Sequence, residues 1–263
     1  MQRKLAIFIM VLPFLFTACG GSSSNTVTPS GSIAGNWQMS LQPTNSNESP
    51  RTQSGFLLQS VNAVTGSLLL TDSPCTAVGN VSGTLSGTNV SMVVDPNGVQ
   101  VNLTGTVGSG QSSMTGDYTI LSTGCSAAGA SPDTGTWTAT LVPPFTGNLS
   151  GTFTSHTGTT YAATGMLTQG SNTGLSNAPV TGTLNLTGYC FAAANIVGTV
   201  SGTNVVLNFV DPDGTQLGEL YATSSTDATS MTGTYEYIGE GTGAPKGCTG
   251  DDHGTITLTL QGS

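Results

Sequence analysis

Only two histidines occur in this chain, His156 and His253, and each lies close in sequence to a candidate loop. Asp251 and Asp252 stand beside His253, and Asp211 and Asp213 sit in an Asp-Pro-Asp-Gly turn. Imidazoles with carboxylates make the donor set of a transition-metal centre. The alternative is a pair of exposed loop histidines near acidic turn residues. The chain contains a second copy of the same pattern, and that copy has no histidine. No metal or other cofactor is therefore expected; were a metal held, His156, His253, Asp251 and Asp252 would be its ligands.

Other chemistry is poorly supplied. Asp95-Pro-Asn-Gly98 and Asp211-Pro-Asp-Gly214 offer oxygen ligands, but as four-residue turns they lack the 12-residue loop of an EF-hand. They read as hairpin turns, with proline setting the first turn dihedral and glycine taking the positive φ. No Gly-x-Ser-x-Gly elbow stands between a strand and a helix. The glycines sit in hairpins with no helix following, so no phosphate loop is expected. Charged residues make up 6% of the chain, against a usual ~25%, and general acids and bases are drawn mostly from them. The expectation is that the protein is not an enzyme.

The start of the chain reads as an export segment. Met1-Gln2-Arg3-Lys4 precedes the apolar run Leu5 to Phe16, too short to span a bilayer, which needs ~20 residues. A basic start, a short apolar stretch and small residues make a signal peptide, residues 1–18. Leu15-Phe16-Thr17-Ala18-Cys19-Gly20 resembles the lipobox of bacterial lipoproteins, with Phe16 where that family has Leu, Val or Ile. The resemblance implies cleavage before Cys19, a lipid on Cys19, and, with Gly20 rather than Asp following, an outer-membrane location. Residues 19–32 are Gly/Ser/Thr-rich and read as a flexible tether. Removing the leader leaves two cations, Arg51 and Lys246, against 13 acids. Nucleic-acid affinity needs clustered Lys and Arg, so no nucleic-acid partner is expected. The expected partners are the membrane, through the lipid, and an envelope protein, a glycan or a small apolar ligand.

The elements that would position these residues come as a tandem duplication. Asn80 to Gly98 repeats as Asn195 to Gly214 with one inserted residue; Ser113-Met-Thr-Gly-Asp-Tyr118 repeats as Ser230-Met-Thr-Gly-Thr-Tyr235; Gly135-Thr-Trp-Thr-Ala-Thr-Leu141 repeats as Gly254-Thr-Ile-Thr-Leu-Thr-Leu260. The seam is Val142-Pro143-Pro144-Phe145, a stiff linker, so the domains are 33–142 and 147–261. With Cys19 on lipid, two cysteines remain per copy. Cys75 matches Cys190, and Cys125 falls in the same interval as Cys248, which predicts the bridges Cys75–Cys125 and Cys190–Cys248. Export permits them.

Alternation such as Thr255-Ile-Thr-Leu-Thr-Leu260, with turn signals every 8–14 residues, predicts an all-β chain. Each copy is expected to form about eight strands: near 34–41, 52–60, 65–71, 78–85, 89–94, 99–106, 113–121 and 134–141, then 147–154, 159–168, 180–187, 194–201, 204–210, 215–222, 230–238 and 254–261. Short connections favour an antiparallel up-and-down barrel in each copy; a β-sandwich is the alternative. In a barrel, every loop after an odd strand lies at one end. That end holds Cys75 with Cys125, Cys190 with Cys248, and His156 with His253. Gly35-Asn36-Trp37 in the first strand resembles the Gly-x-Trp signature of lipocalins and avidin-like barrels, where the Trp plugs one barrel end. Copy two has Gly147-Asn148-Leu149 and lacks it, and two tryptophans in all do not imply a biotin site. A single membrane-spanning barrel is disfavoured, because such strands need ~9–11 residues and aromatic girdles.

The aromatics expected to face inward are Trp37, Phe56, Tyr118 and Trp137 in copy one and Phe153, Tyr161, Phe209 and Tyr235 in copy two. The first expectation for function is an anchored, non-enzymatic interaction, adhesion or structural module of the cell envelope. The second is a carrier of a small apolar ligand in a barrel interior. The third is a metal-dependent hydrolase using the histidine end.

Overall fold

The computed structural model describes residues 31–71, 77–121, 132–189, 191–237 and 252–262. All five cysteines, and with them Cys19 and both expected disulfides, lie outside the described residues, as does Asp251. Among the described residues there are sixteen strands and no helix. The first eight are β1 (Gly35–Pro43), β2 (Arg51–Ser60), β3 (Ala63–Thr71), β4 (Ala77–Ser86), β5 (Asn89–Asp95), β6 (Val101–Val107), β7 (Ser113–Ile120) and β8 (Asp133–Val142). The second eight are β9 (Gly147–Ser155), β10 (Thr160–Gln169), β11 (Ala178–Thr187), β12 (Ala193–Ser201), β13 (Asn204–Val210), β14 (Gln216–Ser224), β15 (Ser230–Tyr237) and β16 (Asp252–Gln261). Each set pairs with its sequence neighbours, all antiparallel, and closes, β1 on β8 and β9 on β16. Two tandem eight-stranded up-and-down barrels therefore form, and they fit a calycin-like fold. Closure satisfies every strand edge, and it decides against the sandwich.

Alternation supplies the interiors. In β8, Asp133, Gly135, Trp137 and Ala139 point in while the threonines between them point out. In β16 the same pattern buries Ile256, Leu258 and Leu260. Leu57, Leu68, Met92 and Leu103 help to fill the first barrel, and Leu167, Leu184, Leu207 and Leu220 the second. Glycine lets these small barrels coil tightly. Gly105 and Gly116 are cross-strand partners, and a Cβ on Gly116 would stand 1.9 Å from the Thr104 carbonyl oxygen. Trp137 lies opposite Gly116 and donates its indole N–H to that carbonyl at 3.1 Å.

The chain entry is built alike in both copies. Trp37 is fully buried and donates to the Ile33 carbonyl at 2.9 Å. The Gln59 side chain accepts the Ile33 N–H at 2.8 Å, and Gln169 accepts the Phe145 N–H at 3.0 Å. Ile33 and Phe145 hold matching places, and both are fully buried. The linker phenylalanine thus becomes part of the second core.

One expected inward aromatic is corrected. Phe56 faces out of the first barrel and packs into the core cluster of the second. Its strand alternation runs Arg51, Gln53, Gly55 and Leu57 inward, which leaves Ser54 and Phe56 outside. Both are buried because the second barrel docks there. The Asn36 side chain donates to the Gly202 carbonyl at 2.8 Å and accepts the Gly202 N–H at 2.6 Å. Gln38 accepts from the N–H and hydroxyl of Thr203, both at 3.1 Å.

Candidate functional site

Call the upper end of each barrel the one carrying the connections after odd-numbered strands. There the two copies share a pair of residues. Tyr118 lies on β7 opposite Gly135, and Tyr235 lies on β15 opposite Gly254. A Cβ on either glycine would crowd the ring, at 2.7 Å from Tyr118 and 3.0 Å from Tyr235, so glycine makes the seat for the tyrosine. Two residues before each glycine stands an aspartate. Tyr118 donates its hydroxyl to Asp133 at 3.2 Å, and Tyr235 donates to Asp252 at 2.8 Å.

In the first barrel this aspartate is sealed. Arg51 bridges Asp133 and Glu48, and all three side chains are buried. One guanidinium thus serves two carboxylates in a low-dielectric setting, where an ion pair holds only if well satisfied. Burial, then the nearby Asp133 carboxylate, raises the Tyr118 phenol above its ordinary range. Next to Arg51 on the inner face is Gln53, fully enclosed, and neither of its amide atoms has a partner among the described residues.

In the second barrel the same aspartate is partly open and collects four donors. Ser155 Oγ at 2.6 Å and His156 Nδ1 at 3.0 Å meet one carboxylate oxygen. Tyr189 at 3.0 Å and Tyr235 at 2.8 Å meet the other. Burial alone raises the Asp252 carboxyl, but the hydrogen bonds from Ser155, Tyr235, Tyr189 and His156 outweigh it, and it titrates below the ordinary range. Burial first, and then the bond to Asp252, pushes the Tyr189 and Tyr235 phenols upward. An ionised carboxylate only accepts, so Nδ1 of a neutral His156 carries the proton and Nε2 keeps the lone pair.

Around this hub the second barrel substitutes aromatics for the first barrel's residues at matching register. Leu41 becomes Phe153, Arg51 becomes Tyr161, Val94 becomes Phe209 and Ile120 becomes Tyr237. Conversely, Trp37 becomes Leu149 and Trp137 becomes Ile256. Aromatic bulk has moved from the lower and middle barrel to the upper end. Tyr161 meets Tyr189 edge-on at 4.8 Å, Tyr189 meets Phe191 edge-on at 5.0 Å, and Phe153 packs on Tyr235 at 5.0 Å, the tilted arrangements that aromatic quadrupoles favour. Tyr237 is buried beside Tyr189 and Phe191, and its hydroxyl has no partner among the described residues.

His156 and His253 do meet at this end, but as a stack: their rings are 4.4 Å apart and 5° from parallel. Lone pairs lie in the ring planes, so parallel stacked rings do not aim at one ion. Among the described residues no group of three or more His, Cys, Asp or Glu side chains is placed to hold a metal. Asp211 closes its turn through its backbone, and the Asp213 carboxylate accepts the Thr215 N–H at 2.9 Å. Asp95 does the same with the Gly98 N–H at 2.7 Å. Sequence reasoning missed Ser155, Tyr189, Phe191 and Tyr237, and also Arg51 and Glu48. A signal was present for the aspartates: aligning Gly135 with Gly254 pairs Asp133 with Asp252.

No family model matches this chain, and no curated protein does. Among solved structures, the crystal structure of kievitone hydratase from Nectria haematococca matches over 92% of this chain and 93% of that one, with 11% identity and a TM-score of 0.23. The structure found is an enzyme's, so the expectation that this chain is not an enzyme is corrected and withdrawn. At that TM-score the likeness carries no argument about fold or chemistry.

Proposed function

We propose that this chain is an exported, lipid-anchored envelope protein whose second barrel binds a small, neutral, largely apolar ligand at its upper end. The observation that carries the ligand reading is Tyr237: a buried hydroxyl without a partner among the described residues, set in an aromatic wall beside the Asp252 hub. Leaving such a hydroxyl unmade costs about 1–3 kcal/mol, and a ligand acceptor would recover it. Tyr161 and Tyr189 are half-buried and give flat apolar faces. A negative ligand is disfavoured by Asp252 and by the scarcity of cations. Calorimetric titration with neutral aromatics such as p-cresol and indole tests this. Binding that weakens in Tyr237→Phe and Tyr189→Ala is expected; equal binding by the variants would refute it.

A second reading, proton transfer on such a ligand, is favoured by His156, whose exposed imidazole is oriented by Asp252. Under that reading His156→Ala retains binding and loses turnover. The anchoring reading rests on Arg3-Lys4, the apolar run and the segment ending at Cys19. Metabolic labelling with a radioactive fatty acid should mark the wild type and fail to mark Cys19→Ser. The bridges Cys75–Cys125 and Cys190–Cys248 belong to the same proposal, through the oxidising compartment that export implies.

A further inference from the structure

The docking between barrels centres on a turn of the second barrel seated on a face of the first; beside it, the Ser67 hydroxyl of the first barrel donates to the Gly174 carbonyl of the second at 2.9 Å. The turn is Ser201-Gly-Thr-Asn204, with Gly202 at φ +57°. The face is Asn36 and Gln38 on β1 with Ser54 and Phe56 on β2. The fit is close, since a Cβ on Gly202 would stand 2.3 Å from the Gln38 Oε1 and 2.7 Å from the Ser54 Cβ.

Duplication made each part twice. The first barrel carries the same turn, Ser86-Gly-Thr-Asn89, with Gly87 at φ +60°. Even the bond behind it is repeated: the Val107 N–H donates to the Thr88 carbonyl at 2.8 Å, as the Ser224 N–H donates to that of Thr203 at 2.8 Å. This copy of the turn is exposed at Thr88 and Asn89, whereas Gly202 and Thr203 are buried. A Cβ on Gly87 would meet nothing within 4 Å. The second barrel carries the same face in the same register: Asn148 opposite Met166 where Asn36 is opposite Phe56, and Ser150 opposite Thr164 where Gln38 is opposite Ser54. Asn148 and Thr164 are exposed, and Met166 is 50% exposed where Phe56 is 4%.

We infer that this chain associates head to tail with further copies of itself, the 86–89 turn of one chain docking on the Asn148/Met166 face of the next. The internal interface is the template. The retained asparagine supplies the two-way bond to a turn glycine, and the retained apolar residue supplies the anchor beside it. Gly87 already has an interaction within its own chain, so docking must accommodate or replace it. The contact is weaker than the internal one, because Gln38 has become Ser150, whose hydroxyl is engaged by Thr259 at 2.9 Å. A turn-to-face contact is heterologous, so it propagates until it closes a ring or continues as a filament.

Photocrosslinking in the full chain tests this. A photoreactive phenylalanine at position 166 should yield a ladder of multimers whose adducts map to 86–89. Adding Asn148→Asp, or placing Thr88→Glu in the partner copies, should lower the adducts about tenfold or more. Monomer alone, adducts joining position 166 to position 166, or adducts elsewhere on the barrel would overturn the inference. It is independent of the ligand reading, because neither variant touches Tyr189, Tyr237 or Asp252.

Discussion

At the same place in both barrels a tyrosine rests on a glycine and reaches an aspartate two residues before it. The surroundings differ completely. Around Asp133 the first barrel puts a buried arginine and a second acid, and the end is closed electrostatically. Around Asp252 the second barrel puts four neutral-type donors and a wall of rings, with the aspartate left partly open. One scaffold position has thus been kept while its charge compensation was exchanged. A carboxylate neutralised by a buried ion pair is fixed in place. One held by hydroxyls and an imidazole can exchange its partners.

The largest consequence concerns Arg51. Arg51→Leu leaves Glu48 and Asp133 buried without their cation and should cost about 3–5 kcal/mol. The register-matched change Tyr161→Leu, at a half-buried site, should cost about 1 kcal/mol. Urea melts separate the two: tryptophan fluorescence follows the first barrel alone, which holds Trp37 and Trp137, and far-ultraviolet circular dichroism follows both barrels. Equal costs would break the contrast between the two ends.

Next come the shared hydroxyls. Tyr235→Phe removes one of four donors to Asp252 and should cost about 1.5–3 kcal/mol. Tyr118→Phe should cost less, because Arg51 still holds Asp133. Far-ultraviolet circular dichroism melts of both variants would show the order, and a reversed order would sharpen the account against the hydroxyl hub.

The pH dependence follows in size. Asp252 titrates below its ordinary value near 3.8 when folded, so its contribution is complete above that value and is lost as pH falls through the folded one. Asp252→Asn should flatten acid unfolding of the second barrel. Tyr118, Tyr189 and Tyr235 titrate above their ordinary value of 10.0, so their contribution is complete below pH 10 and is lost as pH rises beyond it. Because two of these phenols surround Asp252, the second barrel should be the more alkali-sensitive. Circular dichroism melts at stepped pH check both directions, with tyrosine ionisation near 295 nm read on the alkaline side.

The smallest effect belongs to Tyr237→Phe. Deleting a hydroxyl that makes no bond among the described residues should leave the free protein unchanged or stabilise it by up to about 1 kcal/mol. A loss of stability would mean the hydroxyl is already satisfied.

Much of the fold was legible because strand alternation and turn chemistry are local. Asp-Pro-Asn-Gly98 and Ser-Gly-Thr-Asn89 mark turns by backbone preference alone, and period two marks which side chains face in. The barrel order then brought His156 and His253 to one end without any structure. Their stacking was not legible, because it depends on side-chain rotamers, that of His156 being held by Asp252. Phe56 shows a second limit. Alternation places it outside the barrel, but its aromatic character argued for the core, and only the docked second barrel reconciles the two. Tyr189 and Tyr237 were passed over because each reads locally as an ordinary strand-end residue; their meaning comes from each other and from the rings of Tyr161, Phe191 and Tyr235 around them.

The most direct test uses the tyrosines themselves. In the chain labelled with ring-¹³C tyrosine, titration with p-cresol should shift the resonances of Tyr161, Tyr189 and Tyr237 together, with one saturation curve, and leave Tyr118 unmoved. An unchanged spectrum, or shifts of Tyr118 equal to those of the second barrel, would contradict the claim that the two ends of one scaffold have been given different tasks.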